Sequence, residues 1–231
     1  MTGTLTAVFL SMLSFVVGHF LLSWPTLRER LIARLGQGPF TGLYSLLMVL
    51  LLIWVVAAYR VAPPFVLWDL GPSVNVLPVL AMPFALILAV AGLSSRNPTA
   101  VMGEGLLAHA LPVDGILTIS RHPFLSGVAL WSVAHLIANG DAASAMLFGG
   151  MGILSIGGMS AIDHKRSLKL GQTWAAFAAR TSRIPFGAAF SGRVQVDWGG
   201  IGWVRPVVGL VLYAALFTLH DWLFGVPVVI F

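Results

Sequence analysis

The sequence predicts an all-α, polytopic membrane helix bundle of about six transmembrane helices, with an added amphipathic helix on the cytoplasmic surface. Three observations carry that prediction. The 231 residues are 58% hydrophobic and only 9% charged, whereas soluble domains carry about 25% charged residues. So few charges cannot cover the surface of a soluble fold of this size. Apolar runs long enough to cross hydrocarbon, about 20 residues each, recur along the chain. Basic residues gather in alternate connections between those runs, the pattern that sets membrane orientation. The length suits one domain over residues 1–231.

The six runs cover residues 5–24, 40–61, 74–93, 123–139, 142–162 and 203–224. The first has no basic stretch ahead of it and no small-residue cleavage pattern after it, so it reads as a membrane helix rather than a signal peptide. The third contains Pro78 and Pro83, with Pro72 just before it; proline bends a helix or interrupts its hydrogen bonds. The fourth is the shortest and begins near Pro123, a residue suited to a first helical turn. The fifth carries Gly149, Gly150, Gly152, Gly157 and Gly158, and small residues let membrane helices approach closely. The sixth opens with Arg205-Pro206. Arg205 either snorkels to headgroups or pairs with a cofactor carboxylate.

The connections complete the topology. Arg28, Arg30 and Arg34 follow the first run, Arg96 and Arg121 flank the third connection, and Lys165, Arg166, Lys169, Arg180, Arg183 and Arg193 follow the fifth run. The second connection has Arg60 at its edge and the fourth has only Asp141. The first, third and fifth connections are therefore expected in the cytoplasm and both termini in the periplasm. Residues 165–183 place Leu170, Trp174 and Phe177 at helical spacing among basic residues, an amphipathic surface pattern. Residues 94–122 form a longer polar connection with Gly103, Gly105 and Pro112, and long ordered loops are often functional. The net charge of +5 is read as topology and contact with anionic lipid, not as a nucleic-acid surface. There is no cysteine, which excludes disulfides, thiolate haem ligation, iron–sulfur clusters and cysteine nucleophiles.

Histidines inside apolar runs are the chemically informative residues. His19 and His135 both lie in such runs. An ionisable side chain in hydrocarbon is costly and normally faces the bundle interior with a partner. Neutral imidazole is a good iron ligand, so two such histidines on different helices are candidates to hold one haem. A bond to a neighbouring helix would satisfy the same pattern. The expected orientation places His19 near the cytoplasmic end of its run, whereas His135 lies 12 residues past Pro123, about 18 Å along a helix. If their depths differ, His122 is the alternative partner for His19. His122, in Ser120-Arg121-His122-Pro123, is expected at a helix start, where anions bind. Arg121, His122 and Arg183 form a candidate second site for a haem propionate, a lipid headgroup or another anion. His109 and His164 read as loop and headgroup-facing residues. His220-Asp221 reads as an interfacial anchor or a proton-relaying pair.

Several segments together resemble a known family. They are Gly18-His19, Arg34-Leu35-Gly36 with Gly42-Leu43-Tyr44-Ser45, Arg121-His122-Pro123, the run from Trp131 to Gly140, Gly202-Trp203 with Arg205-Pro206, and Leu219-His220-Asp221 through Val226. In these, the chain resembles NnrU proteins from about residue 12 to 227. The resemblance implies a multi-pass protein of the bacterial inner membrane, linked by association to nitrogen-oxide metabolism and denitrification. Plant zeta-carotene isomerases are similar to the same family, which implies haem b and isomerisation of a double bond in an apolar substrate. Their haem-ligating histidines fall on His19 and His135. Their candidate alternative thiol ligand falls on Ser132.

A more distant resemblance is to isoprenylcysteine carboxyl methyltransferases and phospholipid methyltransferases. It rests on Arg121-His122-Pro123, on Leu170-Gly171 with Trp174 and Phe177, and on Ser182-Arg183-Ile184-Pro185. It implies S-adenosylmethionine near His122, Asp163 and Arg183, although Ile162-Asp163 stands where that group usually carries a Glu pair. Three functions are therefore in view: a haem b protein acting on nitric oxide or a small apolar substrate, a membrane methyltransferase, and a non-enzymatic accessory protein of a respiratory complex.

Overall fold

The computed structural model describes residues 3–100, 103, 106 and 113–228. In chain order its α-helices are α1 (Leu5–Ser23), α2 (Pro25–Leu35), α3 (Gln37–Arg60), α4 (Val76–Ser94), α5 (Pro123–Ala138), α6 (Ala142–Arg180), α7 (Gly187–Phe190), α8 (Trp198–Ile201), α9 (Val204–Thr218) and α10 (His220–Phe224). Short 3-10 turns cover Pro72–Asn75 and Gly115–Thr118. Among the described residues the only β feature is one isolated bridge between Val66 and Asp141. Each predicted run forms a helix. Four helical stretches are long and apolar enough to cross a membrane: α1, α3, Pro72–Ser94 and α6. Helices α5 and α9 are apolar but shorter, at 16 and 15 residues. Helix α3 leaves Leu43, Leu46, Leu50 and Ile53 exposed at helical spacing, a stripe that requires lipid. The chain is a helical membrane protein.

The described chain forms two compact units, one from residues 1–70 and 135–154 and the other from 71–134 and 155–231. In the first, α1 packs antiparallel on α3: Ala7 and Val8 cluster with Ala58, and Gly18 faces Met48 and Leu51. The start of α6 lies along α1 in the same direction, with Ala143 beside Ala7 and Val8, and Gly150 against Met12. The hydroxyls of Tyr59 and Ser144 are 2.9 Å apart. The second and fourth connections meet at one end. The amide of Leu67 donates to Gly140 at 2.7 Å, and that of Ala142 donates to Phe65 at 2.8 Å. Helix α2 contains no buried residue, and the Arg28 guanidinium lies 5.5 Å from the centre of the Phe40 ring, within cation–π range.

In the second unit α4 packs on α9 and α5. Close backbone approach needs glycine at two points. A Cβ on Gly127 would lie 2.5 Å from the Ala85 carbonyl oxygen, and one on Gly92 would meet the Phe124 backbone nitrogen. The third and fifth connections meet, as the amides of Arg121 and Phe186 donate to the carbonyls of Ser182 and Ile119. Asp197 accepts from the Gly115 and Gly200 amides, both at 2.9 Å. Arg205 donates to the Ser94 hydroxyl and to the carbonyls of Gly200 and Ile201, so its guanidinium ties loops together.

The amphipathic segment differs from expectation in one respect. It is helical, and a break at Gly171, whose φ of 49° and ψ of −121° are non-helical, divides it from the spanning part of α6. Its apolar face does not lie open to lipid. Trp174 and Phe177 are buried in a cluster with Leu117. Spacing alone identifies an apolar face; the 3-10 turn carrying Leu117, which is distant in sequence, decides what covers it.

Candidate functional site

The polar site is built where α5 begins. Pro123 opens that helix, and the three residues before it are held by side chains and by the segment after α6. The Ser120 hydroxyl accepts from the His122 amide at 3.1 Å and sits 2.8 Å from the Ser126 hydroxyl. The Arg121 amide donates to the Ser182 carbonyl at 2.9 Å, while the Arg121 carbonyl accepts from Thr99 Oγ1 at 2.6 Å. These bonds fix the backbone, so the side chains of Arg121 and His122 both reach Asp163.

Asp163 lies just past the spanning part of α6, residues 142–162, and is the centre of the site. Arg121 Nε donates to Oδ2 at 3.0 Å and to Oδ1 at 3.2 Å, and Nη2 also donates to Oδ2. His122 Nε2 is 2.7 Å from Oδ1. Arg183 Nε stands 3.5 Å from Oδ2, and its Nη1 donates to the Ser160 hydroxyl at 2.7 Å. The His122 side chain is fully buried, Asp163 is 14% exposed and Arg183 is 48% exposed. Burial lowers the His122 value below the ordinary 6.5, against the raising effect of Asp163. Burial alone would raise Asp163, but hydrogen bonds from His122 and Arg121 hold it below the ordinary 3.8. The resting site is thus a neutral imidazole donating Nε2–H to a carboxylate that two guanidinium groups share. The other ring nitrogen, Nδ1, is buried and has no hydrogen-bond partner among the described residues.

The sequence-predicted residues Arg121, His122 and Arg183 are brought together by this arrangement. Asp163, which the methyltransferase resemblance set beside His122 and Arg183 but the anion-site grouping left out, is the residue that joins them. Its signal was that it is the lone carboxylate at the start of a strongly basic connection.

His19 and His135 lie in the other unit. His19 Nδ1–H donates to the Phe15 carbonyl at 2.8 Å, one turn earlier. That bond fixes the tautomer and leaves Nε2 with its lone pair, the state in which imidazole binds a metal. Tyr44 presents its ring edge-on at 5.9 Å from the His19 ring. The His135 ring lies 5.1 Å from that of Phe148 on α6. Because Gly150 faces Met12, Phe148 and His135 lie near the level of Met12. His19 is seven residues further along α1, roughly 10 Å deeper. Among the described residues no group of three or more His, Cys, Asp or Glu forms a metal site; a haem needs only one or two axial ligands.

A family described as NnrU protein matches residues 7–228. The chain belongs to the NnrU family. A relative of this family member is the chloroplastic 15-cis-zeta-carotene isomerase of Arabidopsis thaliana, 33% identical over 79 residues. That similarity covers 34% of this chain and 22% of the plant protein, so the chain spans well under two thirds of its relative. No solved structure matches.

Two of the remaining histidines, His164 and His220, stand apart from both groupings. His164 is exposed. His220 Nδ1–H donates to the Val226 carbonyl at 2.6 Å, closing the turn after α10. His109 lies outside the described residues.

Proposed function

We propose that this NnrU-family protein binds haem b in the membrane with His19 as the iron ligand, and that it isomerises a double bond in an apolar substrate. The observation that carries this reading is the hydrogen bond from His19 Nδ1 to the Phe15 carbonyl. It spends one ring nitrogen on the helix and leaves the other as an iron ligand inside an apolar run. The similarity to a 15-cis-zeta-carotene isomerase supports an isomerase-like reaction on a substrate that partitions into lipid. When bound, haem would supply an iron centre able to interact with a polyene or with nitric oxide, the latter being the link to nitrogen-oxide metabolism. The residues of the chain would set its ligands, its dielectric and its access. His19 would hold the iron, and Phe15 and Tyr44 would shape its apolar surroundings; His135, expected as the second ligand, lies beside Phe148 roughly 10 Å shallower and is not level with that iron. The orientation that fits the basic connections is a bacterial inner membrane with both termini periplasmic.

The test is the absorbance of the protein purified in detergent. A Soret band is expected. His19→Ala should abolish or strongly reduce it, and His135→Ala and His164→Ala should leave it largely unchanged. Full haem retention in a His19→Ala, His135→Ala double variant overturns the assignment. Isomerisation is then followed by chromatography of a cis-polyene incubated with the haem-loaded protein, with the His19→Ala protein as the control. Equal conversion by both removes the catalytic part of the reading.

A further inference from the structure

We propose that the Asp163 cluster forms the inner wall of an anion site at the membrane edge, which takes a phosphate monoester group and holds one proton between that anion and Nδ1 of His122. The site stands on His122, Arg121 and Arg183, independently of haem.

Three observations meet at this point. The first is the partnerless Nδ1 of a fully buried side chain. A buried polar atom left unpaired is costly, and in native proteins it calls for an explanation. As a lone pair it needs a donor; as N–H it needs an acceptor. A phosphate monoester group meets either need, because it carries an exchangeable proton and charged oxygens together. The second is charge. Among the described residues Arg121 and Arg183 share one carboxylate, which leaves one positive charge in excess around a neutral imidazole. An anion balances it, as an incompletely paired charge near a low-dielectric region is unfavourable. The third is position. The site lies where α5, a 16-residue helix, begins, and a helix N-terminus adds positive potential.

Arg183 is the variable member. It is half-exposed, its contact with Asp163 is the longest of the set, and its Nη1 leans on Ser160. Moving it off Asp163 leaves the carboxylate still held by Arg121 and His122 and frees a guanidinium for the anion. Ile184, the next residue, is 73% exposed, an apolar neighbour suited to acyl chains. The charged groups acting on the His122 ring are Asp163 from α6, Arg121 beside it and Arg183 from the segment after α6. In the occupied site the proton count is the same whether the proton sits on Nδ1 or on a phosphate oxygen. Binding therefore takes up a proton when the anion arrives as the dianion, so affinity rises as pH falls toward the second phosphate pKa of about 6 and levels off below it, where the monoanion already carries the proton and the imidazole is still neutral.

The same chemistry is offered by a soluble phosphate and by the headgroup of phosphatidic acid. The experiment titrates the purified full chain in phosphate-free detergent buffer. One arm uses inorganic phosphate, a second uses phosphatidic acid in mixed micelles, and a third uses phosphatidylcholine micelles as control. Each is read by calorimetry well above and down to the second phosphate pKa of about 6. Binding of phosphatidic acid alone assigns the site to a lipid headgroup; binding of both probes shows that the phosphate group suffices. Either outcome supports the proposal when affinity increases on acidification and Arg183→Gln weakens binding by about tenfold, as expected for a lost charged hydrogen bond. Arg183→Lys should keep part of the affinity. His122→Gln should remove the pH dependence. Should that variant not fold, proton uptake by the native protein, measured in buffers of different ionisation enthalpy, carries the same information. The proposal is overturned if neither phosphate probe binds, if binding is independent of pH, or if phosphatidylcholine binds equally well.

Discussion

The hydroxyl of Tyr213 donates to the backbone carbonyl of Val79 at 3.1 Å, and Val79 is four residues before Pro83. Proline has no N–H, so the carbonyl one turn earlier loses its helical partner. In hydrocarbon that carbonyl has no water to turn to. Tyr213 on α9 therefore repairs the defect that Pro83 makes in α4. Tyr213→Phe should destabilise the protein by about 1 kcal/mol, the scale of interhelical hydrogen bonds in membranes. The double change Tyr213→Phe with Pro83→Ala should recover much of that loss, because the backbone amide restored by the alanine would bond the Val79 carbonyl again. Thermal unfolding in detergent measures both. An unchanged midpoint in the single variant would rule out the repair.

The crossing of α4 and α5 depends on Gly127. Its missing Cβ would fall 2.5 Å from the Ala85 carbonyl oxygen, which is backbone and cannot rotate away. Gly127→Ala must push α4 and α5 apart and should cost about 1–3 kcal/mol. Gly149→Ala, where nothing lies within 4 Å, should be neutral or slightly stabilising through its higher helix propensity. Equal midpoints for the two variants would contradict the close crossing.

These glycines show what the sequence made legible and what it hid. Hydropathy located all six apolar helices, since the demand for about 20 apolar residues is local. The tight crossings were not local. In the glycine-rich fifth run Gly150 does meet Met12 closely, yet Gly149 faces open space and Gly158 makes only an ordinary contact with Leu125, while Gly92, Gly127 and Gly209 are close contacts elsewhere. A glycine stripe shows that approach is possible; the facing residue decides whether it occurs. The candidate site was legible in part for a similar reason. Arg121, His122 and Arg183 stood out by charge and by Pro123, but the carboxylate that gathers them lies 41 residues from His122, and only the fold pairs them. The amphipathic pattern of Leu170, Trp174 and Phe177 was read correctly as a face, but its cover, Leu117, was not foreseeable from spacing.

Acid should loosen the second unit through His122. Its value in the fold is lowered by burial below 6.5, so the unfolded chain takes up this proton first as pH falls. The stability it contributes is complete above pH 6.5 and is lost as pH drops through the folded value. Asp163 adds a second loss of the same sign below pH 3.8, because its value in the fold is also lowered. In phosphate-free buffer the unfolding midpoint should fall between pH 6.5 and 3.8. His122→Gln should flatten that part of the profile relative to the native protein. Parallel profiles would show that His122 is not the group responsible.

Topology provides the last prediction, and the loop contacts supply its physical basis. Within one unit the second and fourth connections are bonded through Leu67 and Gly140, and within the other the third and fifth are bonded through Arg121 and Ser182. Connections that touch must lie on the same side of the bilayer. An even-numbered pair and an odd-numbered pair therefore each share a side, as six alternating crossings require. The third and fifth connections hold most of the arginines and lysines, so the charge rule predicts that they are cytoplasmic. Reporter fusions after Leu35, Gly115 and Arg180 should read cytoplasmic, and fusions after Leu67 and Gly140 should read periplasmic. The short helices α5 and α9 are the critical cases, since 16 and 15 residues fall below the usual spanning length. If either failed to cross, the reporters on its two sides would agree, and the six-span topology would fail at that helix.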